Sequence, residues 1–523
     1  MKHKSFLILG LLIASVSLLQ SQSVNVLLEH WAYDFLDRLQ TKGFVRELIL
    51  TSKPYSRHDV ARMLAEAEGR IHSGNGDLSS AEAALFEQLK GEFHEELAKL
   101  NVEAQRRYHE RHLLQWREDD NRIKADLRAE QSLDIGMGDR REESETVSQT
   151  TLGGIIRGQL KDNVGFFLFA KNTLIKGQDI TDEHFDPSLG APVSISGKNA
   201  YTDDATAYIV YSRSWFRMEL GRGRAQWGPG VRGSLMLSAQ NPRFDFLKLQ
   251  VQFKRFRFVS IHGKLNSGIG TKYLAAHRLE LRIARWLTVG GSELVIYGDR
   301  GVEPMYLNPL MPYHIAEHHL GDKDNNTLGF DVVAFPRKNH KLYCELFIDD
   351  FTLAKNPFTY YGNKFAFLTG WRWVSPFGLS DADLTFEYTR VEPYVYTHYQ
   401  EINVYSNYDQ SIGHWLGPNS DDLFFRAGYL INRDLRFGLI SERIRHGEGD
   451  LDMPHDESMG TRKRFLSGIV ETQWRWGLDI RIQLFRDAFL TMIYNYLKTR
   501  NTDGIQGKRS EDHTIRLHFL INY

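Results

Sequence analysis

The sequence predicts an all-β transmembrane β-barrel of about 18 antiparallel strands with an N-terminal periplasmic α-helical bundle. Three observations lead there. From about Ile123 onward, apolar and polar residues alternate with a period of two. Short and long connections between these runs also alternate. The final run, "HTIRLHFLINY", puts Ile515, Leu517, Phe519, Ile521 and Tyr523 on one face and ends on an aromatic residue.

The N-terminus reads as an export signal over residues 1–23. Lys2 and Lys4 are followed by an apolar core from Phe6 to Leu19, with small residues Ser21 and Ser23 behind it. No cysteine stands at that junction. Downstream there is no apolar run of about 18 residues, so no helical span is expected. The net charge of −1 argues against a nucleic-acid partner. The single cysteine, Cys344, leaves no internal disulfide. A mean hydropathy of −0.41 resembles that of a soluble chain. A barrel with a polar interior gives the same average, because lumen-facing and lipid-facing positions cancel.

Residues 24–122 carry a helical period. Trp31, Phe35, Leu36 and Leu39 share one face, and Gly43 supplies a stop. Ser56 is positioned to cap a second helix with an apolar stripe of Val60, Met63, Leu64 and Ala67. Ser79 or Ser80 opens a third stretch, rich in helix formers.

Residues 123–523 make the barrel. Leu127, Ala129, Leu133 and Ile135 alternate with Asp126, Arg128, Glu130, Ser132 and Asp134. The same holds for Leu279, Leu281 and Ile283, for Leu384, Phe386 and Tyr388, and for Leu478, Ile480, Ile482 and Leu484. Connections of two to four residues, as at Asp162-Asn163 and Lys254-Arg255, alternate with long polar loops near 174–204, 299–326, 392–420, 445–463 and 499–510. A soluble β-sandwich also alternates; the C-terminal aromatic strand favours the barrel. Tyr523 is then the signal for the barrel-insertion machinery. Outer-membrane lipid and lipopolysaccharide become the surroundings of the wall.

Read consistently, the alternation turns Arg157, Arg217, Glu219, Arg278, Glu280, Arg282, Asp383, Glu387, Asp479, Arg481 and Arg516 inward. Such mixed charge suits an ion-paired filling or the wall of a water-filled pore. Between two strand-like runs lies "GRGRAQWGPGVRG", in which Trp227, Gly228, Pro229 and Gly230 make a stiff turn near Arg222, Arg224 and Arg232. This corner is expected to be structural, at a rim or folded into the lumen.

The chain resembles the capsule assembly protein Wzi family. The resemblance is carried by "GRGRAQWGPGVRGSLMLSAQNPRFDFLKL" (221–249), "EPMYLNPLMPY" (303–313), "LYCELFIDDF" (342–351) and "YDQSIGHWLGPN" (408–419), and by the helical stretch "YDFLDRLQTKGF…KPYSRHDVARML". It implies an outer-membrane barrel with a helical bundle at its periplasmic end, acting as a lectin-like protein that retains or helps assemble capsular or other exopolysaccharide. It carries no sugar-contacting residue over to a numbered position.

The candidate binding residues come instead from the loop "VEPYVYTHYQEINVYSNYDQSIGHWLGPN", which crowds Tyr394, Tyr396, Tyr399, Tyr405, Tyr408 and Trp415 together. Aromatic faces cover the C–H face of a pyranose while nearby polar groups take its hydroxyls. The bland alternative is an interfacial girdle or a packed loop. In "EHHLGDKDNN", Asp322, Asp324 and Asn326 begin like a calcium loop, but Thr327 and Val333 stand where glycine and glutamate are needed. Adjacent His318 and His319 on a strand would point apart, so the stretch reads as a solvated loop and no metal is expected. No nucleophile elbow or zinc-protease motif is present. The chain therefore reads as a non-enzyme without a cofactor. The alternative function is a porin-like channel for small polar solutes.

Overall fold

The computed structural model describes residues 23–522 apart from 75, 141–143, 162, 178–179, 181–184, 191–193 and 197. The export signal, except Ser23, and the terminal Tyr523 lie outside the described residues. Among the described residues four helices come first: α1 (Ala32–Lys42), α2 (Arg57–His72), α3 (Ser80–Glu92) and α4 (His94–Ala98). Their boundaries follow from side-chain chemistry. Gly43 ends α1 at φ +92°, where glycine pays no Cβ penalty. The Ser56 hydroxyl accepts the Asp59 N–H at 3.0 Å to start α2. Ser79 and Glu82 form a reciprocal capping box on α3. Phe35, Leu39, Met63, Leu64, Leu89 and Phe93 meet in the small core of this unit.

The barrel strands are β1 (Asn121–Gly138), β2 (Glu145–Leu160), β3 (Val164–Lys176), β4 (Asn199–Arg213), β5 (Phe216–Gly223) and β6 (Phe244–Gln252). Then follow β7 (Phe256–Leu265), β8 (Lys272–Ala284), β9 (Leu287–Gly298), β10 (Asn325–Ala334), β11 (His340–Asp350) and β12 (Lys364–Val374). The circuit finishes with β13 (Ala382–Val391), β14 (Ser420–Leu430), β15 (Leu435–His446), β16 (Glu471–Phe485), β17 (Ala488–Arg500) and β18 (Arg509–Asn522). Each pairs antiparallel with the next, and β18 closes on β1 from Asp512↔Gly138 to Asn522↔Arg128. Closure leaves the barrel wall without an open edge, the condition for strands to cross a bilayer.

Strand parity sorts the side chains as the alternation predicts. Leu127, Leu152, Ile209, Leu279, Phe386 and Leu439 face outward and are exposed. The inward set is charged and paired: Arg217 with Glu219 at 2.6 Å, Arg278 with Asp331 at 2.6 Å, Arg426 with Asp479 at 3.4 Å. Arg157 meets Glu110, just ahead of the barrel, at 2.6 Å.

The helical unit seats on the short-turn end by ion pairs into the barrel. Asp37 of α1 meets Lys341 at 2.5 Å and Arg372 at 2.7 Å. Arg38 bridges Glu82 at 2.6 Å and Asp383 at 3.2 Å. Burial alone would raise the Asp37 carboxyl. Lys341 and Arg372 outweigh it and hold the group at about 2.

The lumen fills unevenly. A core of Trp227, Leu235, Leu237, Phe347, Leu368, Tyr396 and Tyr405 packs against the inner faces of β6 to β13. The inner faces of β16, β17, β18 and β1 keep partly exposed side chains, among them Gln473, Asn495, Thr514, Arg516 and Glu130.

Candidate functional site

Residues 224–243, between β5 and β6, enter the lumen from the long-loop end and carry the Trp-Gly-Pro-Gly corner to its centre. There the chain meets a segment coming from the opposite end. Trp227 pairs with Ser52 and Gln226 with Lys53, and the Gly228 N–H donates to the Thr51 carbonyl at 2.9 Å. Trp227 is 2 % exposed and packs inside the barrel.

Two carboxylates from the barrel wall hold the corner. Glu345 on β11 accepts the N–H of Gly230 at 2.9 Å and of Leu235 at 2.8 Å. Glu387 on β13 accepts the N–H of Val231 at 2.7 Å and of Arg232 at 2.8 Å, and the Tyr343 hydroxyl at 2.8 Å. These bonds satisfy backbone donors that no sheet reaches. Gly228 sits at φ +128°, and a Cβ there would lie 2.4 Å from Glu345 Oε1. Glycine is required for that close approach. Of the nearby arginines, Arg232 pairs with Glu442 at 2.7 Å and Arg224 donates to the Ser188 carbonyl at 2.7 Å.

The six aromatic residues of loop 392–419 do not converge. Tyr396 and Tyr405 are fully buried and stack at 5.2 Å. Their hydroxyls donate to the carbonyls of Leu235 at 2.7 Å and Met236 at 2.5 Å, which fixes the plug. Of the six candidate rings, these two are spent on the interior, as the packed-loop alternative has it. Trp415 lies at the mouth over Arg232, at 5.2 Å, and donates its indole N–H to the Arg232 carbonyl at 2.8 Å. Tyr399 is exposed near Asp322, and Tyr408 sits apart beside Gly190 and Arg222. His414 is buried against Gly233, where burial and then Arg232 push its imidazole down to about 3 and keep it neutral.

Tyr394 joins a cluster that the sequence reading missed. Its ring meets His455 edge-on at 5.1 Å, His455 stacks on Tyr361 at 3.7 Å, and Tyr360 lies 4.8 Å from Tyr361. Three connections supply these rings: 351–363, 392–419 and 447–470. Buried Lys463 ties the same connections together by its ion pair to Glu392 at 2.5 Å and its bond to the Asn363 carbonyl. A half-buried aromatic shelf is thus held rigid at the long-loop end.

The stretch with His318 and His319 also departs from expectation. It is helical, α5 (Pro304–Leu307) and α6 (Tyr313–Leu320), and it folds down the outside of the barrel. Tyr306, Tyr313 and Ala316 pack on the outward residues Ala275, Val295 and Tyr297. Glu293 on the outer face of β9 accepts the N–H of Tyr313 at 2.9 Å and of His314 at 2.6 Å, capping α6 with a negative charge. Burial, then Asp322 and Asp324, raise the Glu317 carboxyl to about 8. Among the described residues, no group of three or more His, Cys, Asp or Glu side chains is placed to hold a metal ion.

Residues 144–514, more than half of the chain, match the family model described as capsule assembly protein Wzi. No curated protein matches the sequence. Among solved structures, the chain is similar to Wzi of Escherichia coli, described as an outer membrane protein involved in group 1 capsule assembly and a carbohydrate-binding β-barrel. The two are 14% identical with a TM-score of 0.62, over 96% of this chain and 99% of the other. Acinetobacter baumannii OccAB1 is 8% identical with a TM-score of 0.47, over 76% of this chain and 96% of the other. Pseudomonas aeruginosa OccK5 is 10% identical with a TM-score of 0.44, over 76% and 98%. The last two are too distant to inform function.

Proposed function

Because the chain belongs to the capsule assembly protein Wzi family and folds as an outer-membrane β-barrel, we propose that it retains or helps assemble capsular or other exopolysaccharide at the cell surface. The observation that carries this reading is the three-loop shelf of Tyr360, Tyr361, Tyr394 and His455. Its half-buried rings offer flat faces to pyranose C–H surfaces, each contact worth about 0.5–1.5 kcal/mol. A polymer meets many copies of the protein, so weak contacts add through avidity. Trp415 and Tyr399 extend the surface around the mouth. The protein acts by binding, without a chemical step.

A porin-like role is disfavoured by the core that fills the lumen from β6 to β13. In the same reading the short-turn end faces the periplasm, lipid and lipopolysaccharide bathe the outer wall, and Tyr523 engages the barrel-insertion machinery.

The test is the partition of polysaccharide between cell and medium in a strain lacking the gene, complemented with the wild-type chain or with Tyr361→Ala/His455→Ala. Wild type is expected to restore the cell-bound fraction, and the double variant to leave polysaccharide in the medium at constant total. If deletion moves neither fraction, the retention role is refuted.

A further inference from the structure

The far end of the molecule holds a second feature that retention at the surface does not use. Between the helical unit and the inner wall of β1, β16, β17 and β18 lies a cavity of about 320 Å³. Six arginines line it: Arg107, Arg111, Arg128, Arg433, Arg481 and Arg486.

The acidic groups around it are already engaged. Glu92 meets His30 at 2.8 Å, and Asp126 meets His112 at 2.9 Å. Glu110 is shared by Arg157 at 2.6 Å and Arg57 at 3.1 Å. Asp487 lies 3.5 Å from Arg486, Asp434 pairs with Arg433 at 2.7 Å, and Glu29 lies 3.8 Å from Arg128. Arg107, Arg111 and Arg481 form no ion pair among the described residues. The lining holds six arginines against the five carboxylates of Glu29, Glu92, Glu110, Asp126 and Asp487, and the positive charge concentrates on the three unpaired guanidinium groups.

Two of these guanidinium groups sit over rings. Arg481 stacks over Phe489 at 4.5 Å and Arg107 over Tyr108 at 4.6 Å. A ring beneath the guanidinium restricts its swing, and the arginine fork suits two-point binding of a carboxylate or phosphate. Trp31, Tyr108 and Phe489 add aromatic wall beside the charges. The volume is at the lower end for small-molecule sites, about 300–1,000 Å³. Above the cavity, the inner wall of β18 and β1 stays open to solvent: Arg516, paired with Asp134, keeps 55 % of its side chain exposed.

We propose that this cavity is a binding site for an anionic oligosaccharide segment, with Arg481, Arg107 and Arg111 taking its acidic groups and the aromatic wall its sugar faces. The open strip beside β18 and β1 gives a longer chain room to continue into the barrel. The proposal rests on the glycan reading above and adds to it a ligand charge and a second site at the opposite end.

The experiment is calorimetric titration of the full chain in detergent with trigalacturonate, with maltotriose as the uncharged control of equal length. Trigalacturonate is expected to bind, to weaken as salt rises, and to lose at least tenfold in affinity in Arg481→Gln and in Arg111→Gln. Arg481→Lys keeps the charge but not the fork, so it should fall between. Heat-modifiable migration on a gel checks that each variant is a folded barrel, and exposed Arg111 provides a site away from the wall. Equal binding of maltotriose, unchanged affinity in both folded variants, or displacement by inorganic phosphate at equal concentration would overturn the proposal. Tyr361→Ala/His455→Ala should leave this binding unchanged, so failure here is separable from failure of surface retention.

Discussion

Glu345 offers the sharpest test of how the lumen is filled. Its two oxygens accept the N–H groups of Gly230 and Leu235 at 2.9 and 2.8 Å. Glu345→Ala leaves both donors buried without an acceptor. Each stranded group costs about 1–3 kcal/mol, so the corner should lose about 2–6 kcal/mol of local stability. At about 1.4 kcal/mol per factor of ten, its local opening rises between about 30-fold and about 20,000-fold. Hydrogen exchange of a peptide spanning 225–238 reads that opening directly. Glu345→Gln keeps the shape and one acceptor oxygen, so it should show about half the effect in free energy. Peptides from the outer strands should not change. If exchange over 225–238 stays at the wild-type rate in a folded Glu345→Ala barrel, the carboxylate does not hold the corner.

Three further outcomes follow from the same geometry. Gly228→Ala forces a Cβ to 2.4 Å from Glu345 Oε1 at φ +128°; backbone strain alone costs about 1–3 kcal/mol, and the temperature at which the barrel loses compact gel migration should fall. Asp37 has its pKa depressed from 3.8 to about 2 by Lys341 and Arg372 against its burial. Its contribution of about 2 kcal/mol is therefore complete above about pH 4 and lost as pH falls through about 2. Exchange over α1, corrected for intrinsic rate, should rise across that window in wild type and already be raised at neutral pH in Asp37→Asn. Tyr396→Phe removes the donor to Leu235 and the acceptor for the His414 N–H at 3.1 Å. It should cost about 1–3 kcal/mol of mouth stability, read as faster proteolysis of loop 392–419.

What was legible in the sequence is what repeats locally. The period-two pattern sorted Arg278, Glu280 and Arg282 from Leu279 and Leu281 because a strand alternates its faces with no outside help. The caps at Ser56 and Ser79 and the stop at Gly43 were equally local. Aromatic composition does not say which rings of loop 392–419 turn inward. Tyr396 and Tyr405 bond to residues 161 and 169 positions away, and no spacing rule covers that distance. The same holds for Glu345 and the corner it grips. Other local signals stand in the sequence. Pro312 before Tyr313 and Gly321 after Leu320 frame a helix, and Asn356-Pro357 with Gly362-Asn363 marks the connection that supplies Tyr360 and Tyr361.

The junction of Trp227 with Ser52 gives the molecule a continuous mechanical line from one membrane face to the other. A pull on loop 392–419 reaches the Leu235 and Met236 carbonyls through Tyr396 and Tyr405. It crosses to Thr51 and Ser52 through a two-residue ladder and arrives at α2, which begins at Arg57. A tether that must resist drag on a long polymer spreads tension better over such a line than over one loop tip. The rigid cylinder takes its share through Glu345 and Glu387, so the interior works as a strut as much as a stopper.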